Sequence, residues 1–308
     1  MTHLQSISFN TYGVGETLVG NTGVLQRIQL FSDRLPPNVD VITFQEVFCD
    51  KSRRPFCTVN VFPLLKQLMS QHGLTYHTTV KPDPTHQSVP MQLISDAMHL
   101  AQTKWWGVPV LIATMVVPLI LVGCLIWLLW SNNEHLINGG LVVFCRWPIL
   151  CTQSHRWRST SKVLFPEYLS AKGFQWVRFQ KHDTVMSVIN VHLCAECSPE
   201  VGQLQLEELN RFITEHVDPD EPLLVQGDFN LVPSQLEGRL EGLQLATPDQ
   251  GKQMCTWRKH NLEKCRHYDH FFYRGGHVLS YRMLVETEYL SDHVPIELEL
   301  ELDKLPPS

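Results

Sequence analysis

The stretch "PLLVQGDFN", Pro222 to Asn230, reads as a short buried strand that stops abruptly on Gly-Asp-Phe-Asn. By itself, an Asp just ahead of an Asn is an ordinary turn signal. The rest of the chain, searched outward from this point, repeats the pattern. "SISFN" closes on Asn10, "VITFQE" on Glu46 and "SVINVH" on His192. "YLSDHVPIEL" sets Asp292 and His293 just before the last strand. A single strand-end His is more often a hydrogen-bonded core residue. Five strand ends carrying Asn, Glu, His or Asp, in this order, are far more specific than any one of them.

The segments between these ends suit a sandwich. "LQSISFNTY" and "DVITFQEVF" read as strands, and "GNTGVLQRIQLFSDRL" between them has helical spacing of Val24, Leu25, Ile28 and Leu30. "VNVFPLLKQLMSQHG" is a second helix stopped by Gly73, and "LTYHTTVK" is a strand. Later strands are expected at "GGLVVFCRWPIL", "GFQWVRFQ", "DTVMSVINVHL", "PLLVQGDFN", "YDHFFYR" and "VPIELELEL", with one helix, "EVGQLQLEELNRFITEHV", among them. Many strands with few intervening helices point to an α/β sandwich, not a Rossmann sheet. No GxGxxG or Walker A run is present.

Composition narrows the function classes. The chain has 308 residues, is 44% hydrophobic and carries a formal net charge of −6. It therefore lacks the basic surplus usual in proteins that bind long runs of phosphates. No basic and then apolar leader opens "MTHLQSISFNTYGVGE", so no secretory signal is expected. The nine cysteines are accordingly read as mostly reduced thiols of a cytosolic protein. Cys194 and Cys197 have the spacing of metal ligands but no second CxxC, and are read as incidental thiols before a zinc site.

The ordered set of a strand-end Asn, a "QE" Glu, "VHL", "GDFN" and "SDH" resembles the endonuclease/exonuclease/phosphatase superfamily, with the DNase I-like fold. The resemblance runs from residue 10 to residue 293. It implies a single catalytic domain over residues 1–308, a four-layer α/β/β/α sandwich, interrupted by a hydrophobic membrane-associating insertion at 105–130. It also implies a Mg²⁺-dependent phosphodiesterase, with Mn²⁺ as an alternative ion. Glu46 and Asn10 would hold the metal. His293 would be the general base, oriented by Asp269 of "HYDHFFY". Asp292 would hold water or a second ion, Asp228 and Asn230 would position the nucleophile and transition state, and His192 would donate to a phosphoryl oxygen.

Further stretches resemble the neutral sphingomyelinases. "QEVFCDKSRR" is similar to their "EVFDK" with Cys49 added, "NGGLVVFCRWPIL" to their "NGGVAI…KWPI", and "VHLCAE" to their "THLQAE". "EYLSAKGF" resembles a loop that in the animal membrane-bound branch pairs an Asp with a Lys; here the pair is Glu167 and Lys172. Taken from the residues alone, Lys172 is a surface lysine before a Gly turn; the resemblance makes it catalytic and makes Asp50 and Glu167 substrate contacts. The implied reaction releases phosphocholine from sphingomyelin and leaves ceramide, with the membrane lipid as the only expected partner and no nucleic acid. The alternatives are a nuclease, another phospholipid or inositol phosphate phosphoesterase, and an inactive membrane scaffold.

"WWGVPVLIATMVVPLILVGCLIWLLW", Trp105 to Trp130, has 26 residues and no charge, enough to cross a bilayer once. A single crossing would part Asn10 and Glu46 from His192 and His293. A shared site requires the chain to enter and leave the membrane on one face. Pro118 near the middle permits a kinked hairpin, with Trp105, Trp106, Trp127 and Trp130 together at one interface. A buried helical insertion and a true span are the competing readings. The expected location is a membrane surface, with the catalytic domain on the cytosolic side.

Overall fold

The computed structural model describes residues 2–11, 23–47, 61–79, 137–138, 140–159, 170–195, 197–246, 254–258, 265–284 and 290–303. Two six-stranded mixed sheets lie face to face. The first is ordered β15 (Gly276–Met283), β16 (Ile296–Leu302), β1 (Thr2–Asn10), β2 (Val41–Gln45), β5 (Val142–Cys145) and β3 (Tyr76–Thr79). The second is ordered β11 (Gln244–Leu245), β14 (Asp269–Arg274), β10 (Leu223–Asp228), β9 (Thr184–His192), β8 (Gly173–Lys181) and β6 (Ile149–Arg156). Short strands β4 (Ile137–Asn138) and β7 (Ser170–Ala171) pair with each other, as do β12 (Trp257–Arg258) and β13 (Cys265–Arg266).

Helices cover the outer faces because their apolar stripes have nowhere else to go. Helix α1 (Val24–Asp33) and helix α2 (Phe62–Gln71) bury Ile28, Phe31, Leu65, Leu68 and Met69 against Ile7, Phe9, Ile42, Phe44 and Phe144. Helix α3 (Pro199–His216) buries Leu206, Leu209, Phe212 and Ile213 against Phe174, Ile189, Val191, Leu223 and Val225. The one-turn helix α4 (Pro233–Leu236) follows β10. The result is the expected α/β/β/α order of layers.

Each sheet contains one parallel pair joined through a helix, β1 with β2 across α1 and β9 with β10 across α3. Their registers align Asn10 with Gln45 and His192 with Asp228, so the C-terminal ends of both pairs come level. Between the sheets, side chains change character along each strand. Leu4, Val41, Val188 and Leu224 form the apolar end. Two residues further on, Ser6, Thr43, Asn190 and Gln226 are fully buried and bonded across the gap. Gln226 Oε1 accepts from Ser6 Oγ at 2.7 Å, while its Nε2 donates to the Ile7 carbonyl at 3.1 Å and to Thr43 Oγ1 at 2.9 Å. Gln45 Nε2 donates to Asn190 Oδ1 at 2.7 Å. Within the second sheet, Gly227 of β10 lies so close to its partner strand β9 that a Cβ there would sit 2.0 Å from the Val191 carbonyl oxygen.

Several expectations are corrected. "GGLVVFCRWPIL" is two strands in different sheets, β5 and β6, parted at Arg146-Trp147-Pro148. Strand β15 was not expected; a bulge between Val278 and Ser280 breaks the alternation that would have revealed it. The cysteines are not mostly free among the described residues. Cys194 is joined to Cys197 and Cys255 to Cys265 as disulfides, with Cα separations of 5.7 and 5.4 Å, while Cys145 and Cys151 are free. Proximity in the folded chain, invisible to spacing, makes these pairs.

Among the described residues no helix is long and apolar enough to cross a membrane. Trp105, Trp106, Trp127 and Trp130, with the whole 105–130 run, lie outside the described residues. The chain on either side does not. Strand β3 before the run and β5 after it are antiparallel neighbours, and Thr79 pairs with Val142.

The inter-sheet amides make a stability prediction. Gln226→Leu keeps the volume but takes the amide from the Ile7 carbonyl and the Thr43 hydroxyl, and leaves the Ser6 hydroxyl only the Val41 carbonyl at 3.4 Å. Urea unfolding should show a loss on the order of 3 kcal/mol; an unchanged midpoint would mean the amide seam contributes nothing.

Candidate active site

Glu46 follows β2 directly and has a φ of 60°, rare for a residue with a side chain. Gly140 makes that bend possible. It packs so closely that a Cβ would sit 2.8 Å from the Glu46 Cα, and its carbonyl accepts Val47 N at 2.9 Å. The bend turns the carboxylate toward the gap between the sheets. Asn10 Nδ2 there donates to Glu46 Oε1 at 3.1 Å and to Asp228 Oδ2 at 2.9 Å, linking an acid of each sheet. Asn10 thus meets Glu46 as a donor through its amide nitrogen.

The second sheet supplies the facing groups. His192 Nε2 stands 3.5 Å from Asp228 Oδ2 and 3.9 Å from Glu46 Oε1. Asn230, with a φ of 51°, places its backbone N on Asp228 Oδ1 at 2.9 Å and its Nδ2 on the Leu193 carbonyl at 3.1 Å. His293 Nδ1 is bonded to Asp269 Oδ2 at 2.8 Å, and its Nε2 points to Asp228 Oδ2 at 3.5 Å. Asp269 therefore orients the imidazole and leaves Nε2 toward the cluster.

Backbone-acting residues that the sequence did not single out complete the frame. Thr256 Oγ1 accepts the amides of Tyr268 and Asp269 at 3.0 and 3.1 Å, and its carbonyl accepts Val294 N at 2.7 Å. Trp257 Nε1 donates to Asp292 Oδ2 at 3.2 Å, and Ser291 Oγ donates to Asp292 Oδ1 at 3.1 Å. They lie in "CTWRKH" and "YLSDH", where no periodicity marks them, because their work is done by single hydrogen bonds across sequence distance.

Burial sorts the charges. It pushes the Glu46 carboxyl up to about 7, against a lowering by Lys172 and with a further rise from Asp292. Asp228 is likewise raised by burial and opposed by His293. His192 is held well below the ordinary imidazole range by burial, then by the positive charges of Lys172 and His293. It is neutral despite standing within ion-pair distance of two carboxylates. For His293, burial alone would lower the pKa, but Asp269 and Asp228 outweigh it and carry it up to about 10. Lys172, half-buried, thus acts on Glu46, His192 and Asp228 together. Asp50 and Glu167 lie outside the described residues.

A hard divalent cation fits this site. Glu46 Oε2 and both ring nitrogens of His192 are buried with no hydrogen-bond partner among the described residues. Ligand atoms of Asp228, Asp269 and His293 also lie within 4.8 Å of one another. Asp269 and His293 already use the atoms that face each other, however, so that trio reads as an oriented base. The unspent oxygen on Glu46 is the better cation ligand, since Mg²⁺ prefers carboxylate oxygen and keeps several waters.

A model described as the Endonuclease/Exonuclease/phosphatase family matches residues 7–293. Sphingomyelinase C from Bacillus cereus is 32% identical over 102 residues, and the chain spans 30% of its length. Sphingomyelinase C from Listeria ivanovii is 25% identical over 166 residues, 47% of this chain and 49% of that one. Among solved structures, a beta toxin variant of Staphylococcus aureus with bound magnesium ions superposes with a TM-score of 0.67 at 17% identity, covering 98% of this chain and 100% of that chain. SmcL superposes with a TM-score of 0.63 at 18% identity, covering 97% and 98%. At such identities these superpositions establish the DNase I-like fold.

The charge balance yields a pH prediction for protein held in chelator. The folded pKa of His293 is raised from 6.5 to about 10, so its imidazolium stabilises the fold fully below pH 6.5, and this contribution is lost as pH rises through 10. Asp269→Asn should flatten that window in denaturation curves and move the imidazole resonance to a lower pKa by NMR. An unaltered titration would show that Asp269 does not hold the proton there.

Proposed function

This chain belongs to the endonuclease/exonuclease/phosphatase family, and on that premise we propose that it is a divalent-metal-dependent phosphodiesterase that hydrolyses sphingomyelin to ceramide and phosphocholine. The observation that carries the reading is the meeting of Glu46 and Asn10 with His192, Asp228 and the Asp269–His293 pair around one point between the sheets. The names of the curated relatives and the stretches around Glu46, Gly140 and Lys172 favour sphingomyelin among phosphodiesters.

Glu46 would hold Mg²⁺, or Mn²⁺ in its place. Such a cation would supply neutralisation of charge on the phosphoryl oxygens and, as a nearby positive charge, would lower the pKa of the His293 imidazole. His293 takes a proton at Nε2 from the water that attacks phosphorus, while Asp269 fixes Nδ1 and steadies the imidazolium that forms; the bond from phosphorus to the ceramide oxygen breaks, and that alkoxide takes a proton from solvent. Asp228 and Asn230 orient that water. Neutral His192 offers an N–H to a phosphoryl oxygen, and Lys172 offsets negative charge as it builds up in the transition state. Asp292, tied by Trp257 and Ser291, holds a water on the open side.

The lipid reading also gives residues 105–130 a place. The pairing of Thr79 with Val142 supports a chain that leaves and re-enters the domain at one sheet edge, compatible with a hairpin dipped into the headgroup layer.

Phosphocholine release from sphingomyelin in mixed micelles should depend on Mg²⁺, and His293→Ala should lower it by at least about 1,000-fold. Faster cleavage of plasmid DNA than of sphingomyelin would favour a nuclease, and turnover of neither would leave a binding scaffold.

Deleting residues 105–130 tests the anchor separately. Activity on sphingomyelin vesicles should fall far more than activity on a water-soluble chromogenic phosphodiester; equal losses on both would contradict an anchoring role.

A further inference from the structure

Strands end with backbone N–H and C=O groups that no ladder partner satisfies, and buried ones must find another. β6 ends at Arg156 and β9 at His192, and beyond both ends the chain meets one side of α3. Gln205 and Glu208, three positions apart and so on the same face of that helix, take up the loose groups. Gln205, only 1% exposed, accepts from Cys194 N at 3.1 Å and donates Nε2 to the Ser159 carbonyl at 2.7 Å. Glu208 accepts Ser159 N at 2.8 Å through Oε1 and Arg158 N at 3.0 Å through Oε2, which also lies 3.3 Å from His155 Nε2.

Trp157 links this pair to the site. Its side chain, 2% exposed, donates Nε1 to the His192 carbonyl at 2.8 Å. Its backbone N donates to the Lys172 carbonyl at 3.2 Å. One clamp on α3 therefore ties the strand end that carries His192 to the backbone that carries Lys172. The arrangement is costly without a purpose. A carboxylate with 12% of its side chain exposed and a buried Gln need several good hydrogen bonds to be tolerated where a leucine would pack freely. Apart from the contact with the His155 side chain, every such bond fixes backbone within two residues of His192 or of Trp157.

We propose that Glu208, Gln205 and Trp157 are positioning residues that set where Lys172 stands relative to His192 during phosphodiester hydrolysis. The proposal rests on the reading above that Lys172 acts on the phosphoryl group. Lys172 works through charge, and a cation displaced by about 1 Å from its productive place loses much of its effect in a water-poor site.

The experiment is a double-mutant cycle on the full chain with bis(4-nitrophenyl) phosphate and Mg²⁺, so that it does not depend on sphingomyelin being the substrate. Glu208→Gln keeps the shape and should lower kcat about 10- to 100-fold with KM little changed. In a Lys172→Ala background the same substitution should cost less than about twofold, because its target is gone. Trp157→Phe keeps the aromatic packing, loses only the indole donor and should follow the same pattern. Melting temperatures identify a variant that fails by unfolding, and the remaining one then decides. Equal losses in both backgrounds, or no loss in either from a folded variant, overturn the clamp alone. Wild-type turnover by Lys172→Ala instead overturns the catalytic reading of Lys172, and the clamp's purpose with it.

Discussion

The two sheets cannot close at their catalytic end by hydrophobic contact, because the side chains that face each other there are acids, amides and imidazoles. Every other residue along β1, β2, β9 and β10 points into the gap, and the sequence of those residues runs from Leu and Val through Ser, Thr, Asn and Gln to Asn10, Gln45, His192 and Asp228. The apolar end holds the sheets together. The buried amides in the middle fix their spacing and register by hydrogen bonds that a slipped strand could not make. The ionisable end inherits that geometry. Side chains from positions 10, 46, 192, 228 and 293 meet because a polar seam below them sets the distance between the layers.

Burial lowers both histidines, and the charges beside them then drive the two apart. His192, near two positive charges, stays neutral and is suited to donate; His293, between Asp269 and Asp228, binds its proton tightly. Paired groups whose surroundings push their pKa values in opposite directions are the usual mark of divided acid–base roles. Glu46 is the remaining strain in this balance. Its backbone is in the left-handed region, its carboxyl is pushed toward neutrality, and one oxygen is buried without a hydrogen-bond partner among the described residues. The cation of the proposed reaction would relieve the last two costs, and close packing by Gly140 holds the first.

Support from outside the gap is as specific as the packing within it. Thr256 carries the backbone of Asp269 and Val294, Trp257 and Ser291 hold Asp292, and α3 grips the chain beside His192 and Lys172. The two disulfides lie in the same segments, Cys194–Cys197 just after His192 and Cys255–Cys265 joining the chain just ahead of β12 to its paired strand β13, next to Thr256. Irregular backbone at strand ends has no ladder to hold it, so side chains and cross-links take over that work.

The sequence by itself determined that the chain is an α/β sandwich with polar residues at its strand ends, and the resemblance added the four-layer order and the roles. Alternation and helical spacing are local, and polar residues that terminate apolar strands stand out against them, so Asn10, Glu46, His192, Asp228, Asn230, Asp292 and His293 could be read directly. Lys172 and Asp269 needed the resemblance, since each has an ordinary surface or turn reading taken singly. The tertiary structure decided whatever depends on one atom meeting another across the chain. It split Val142–Arg156 between two sheets, hid β15 behind a bulge, paired four cysteines and gave Thr256, Trp157, Gln205 and Glu208 their tasks. It also brought Thr79 and Val142 together on either side of the apolar run. Periodicity reports which face a residue occupies; only the closed fold reports what stands opposite it.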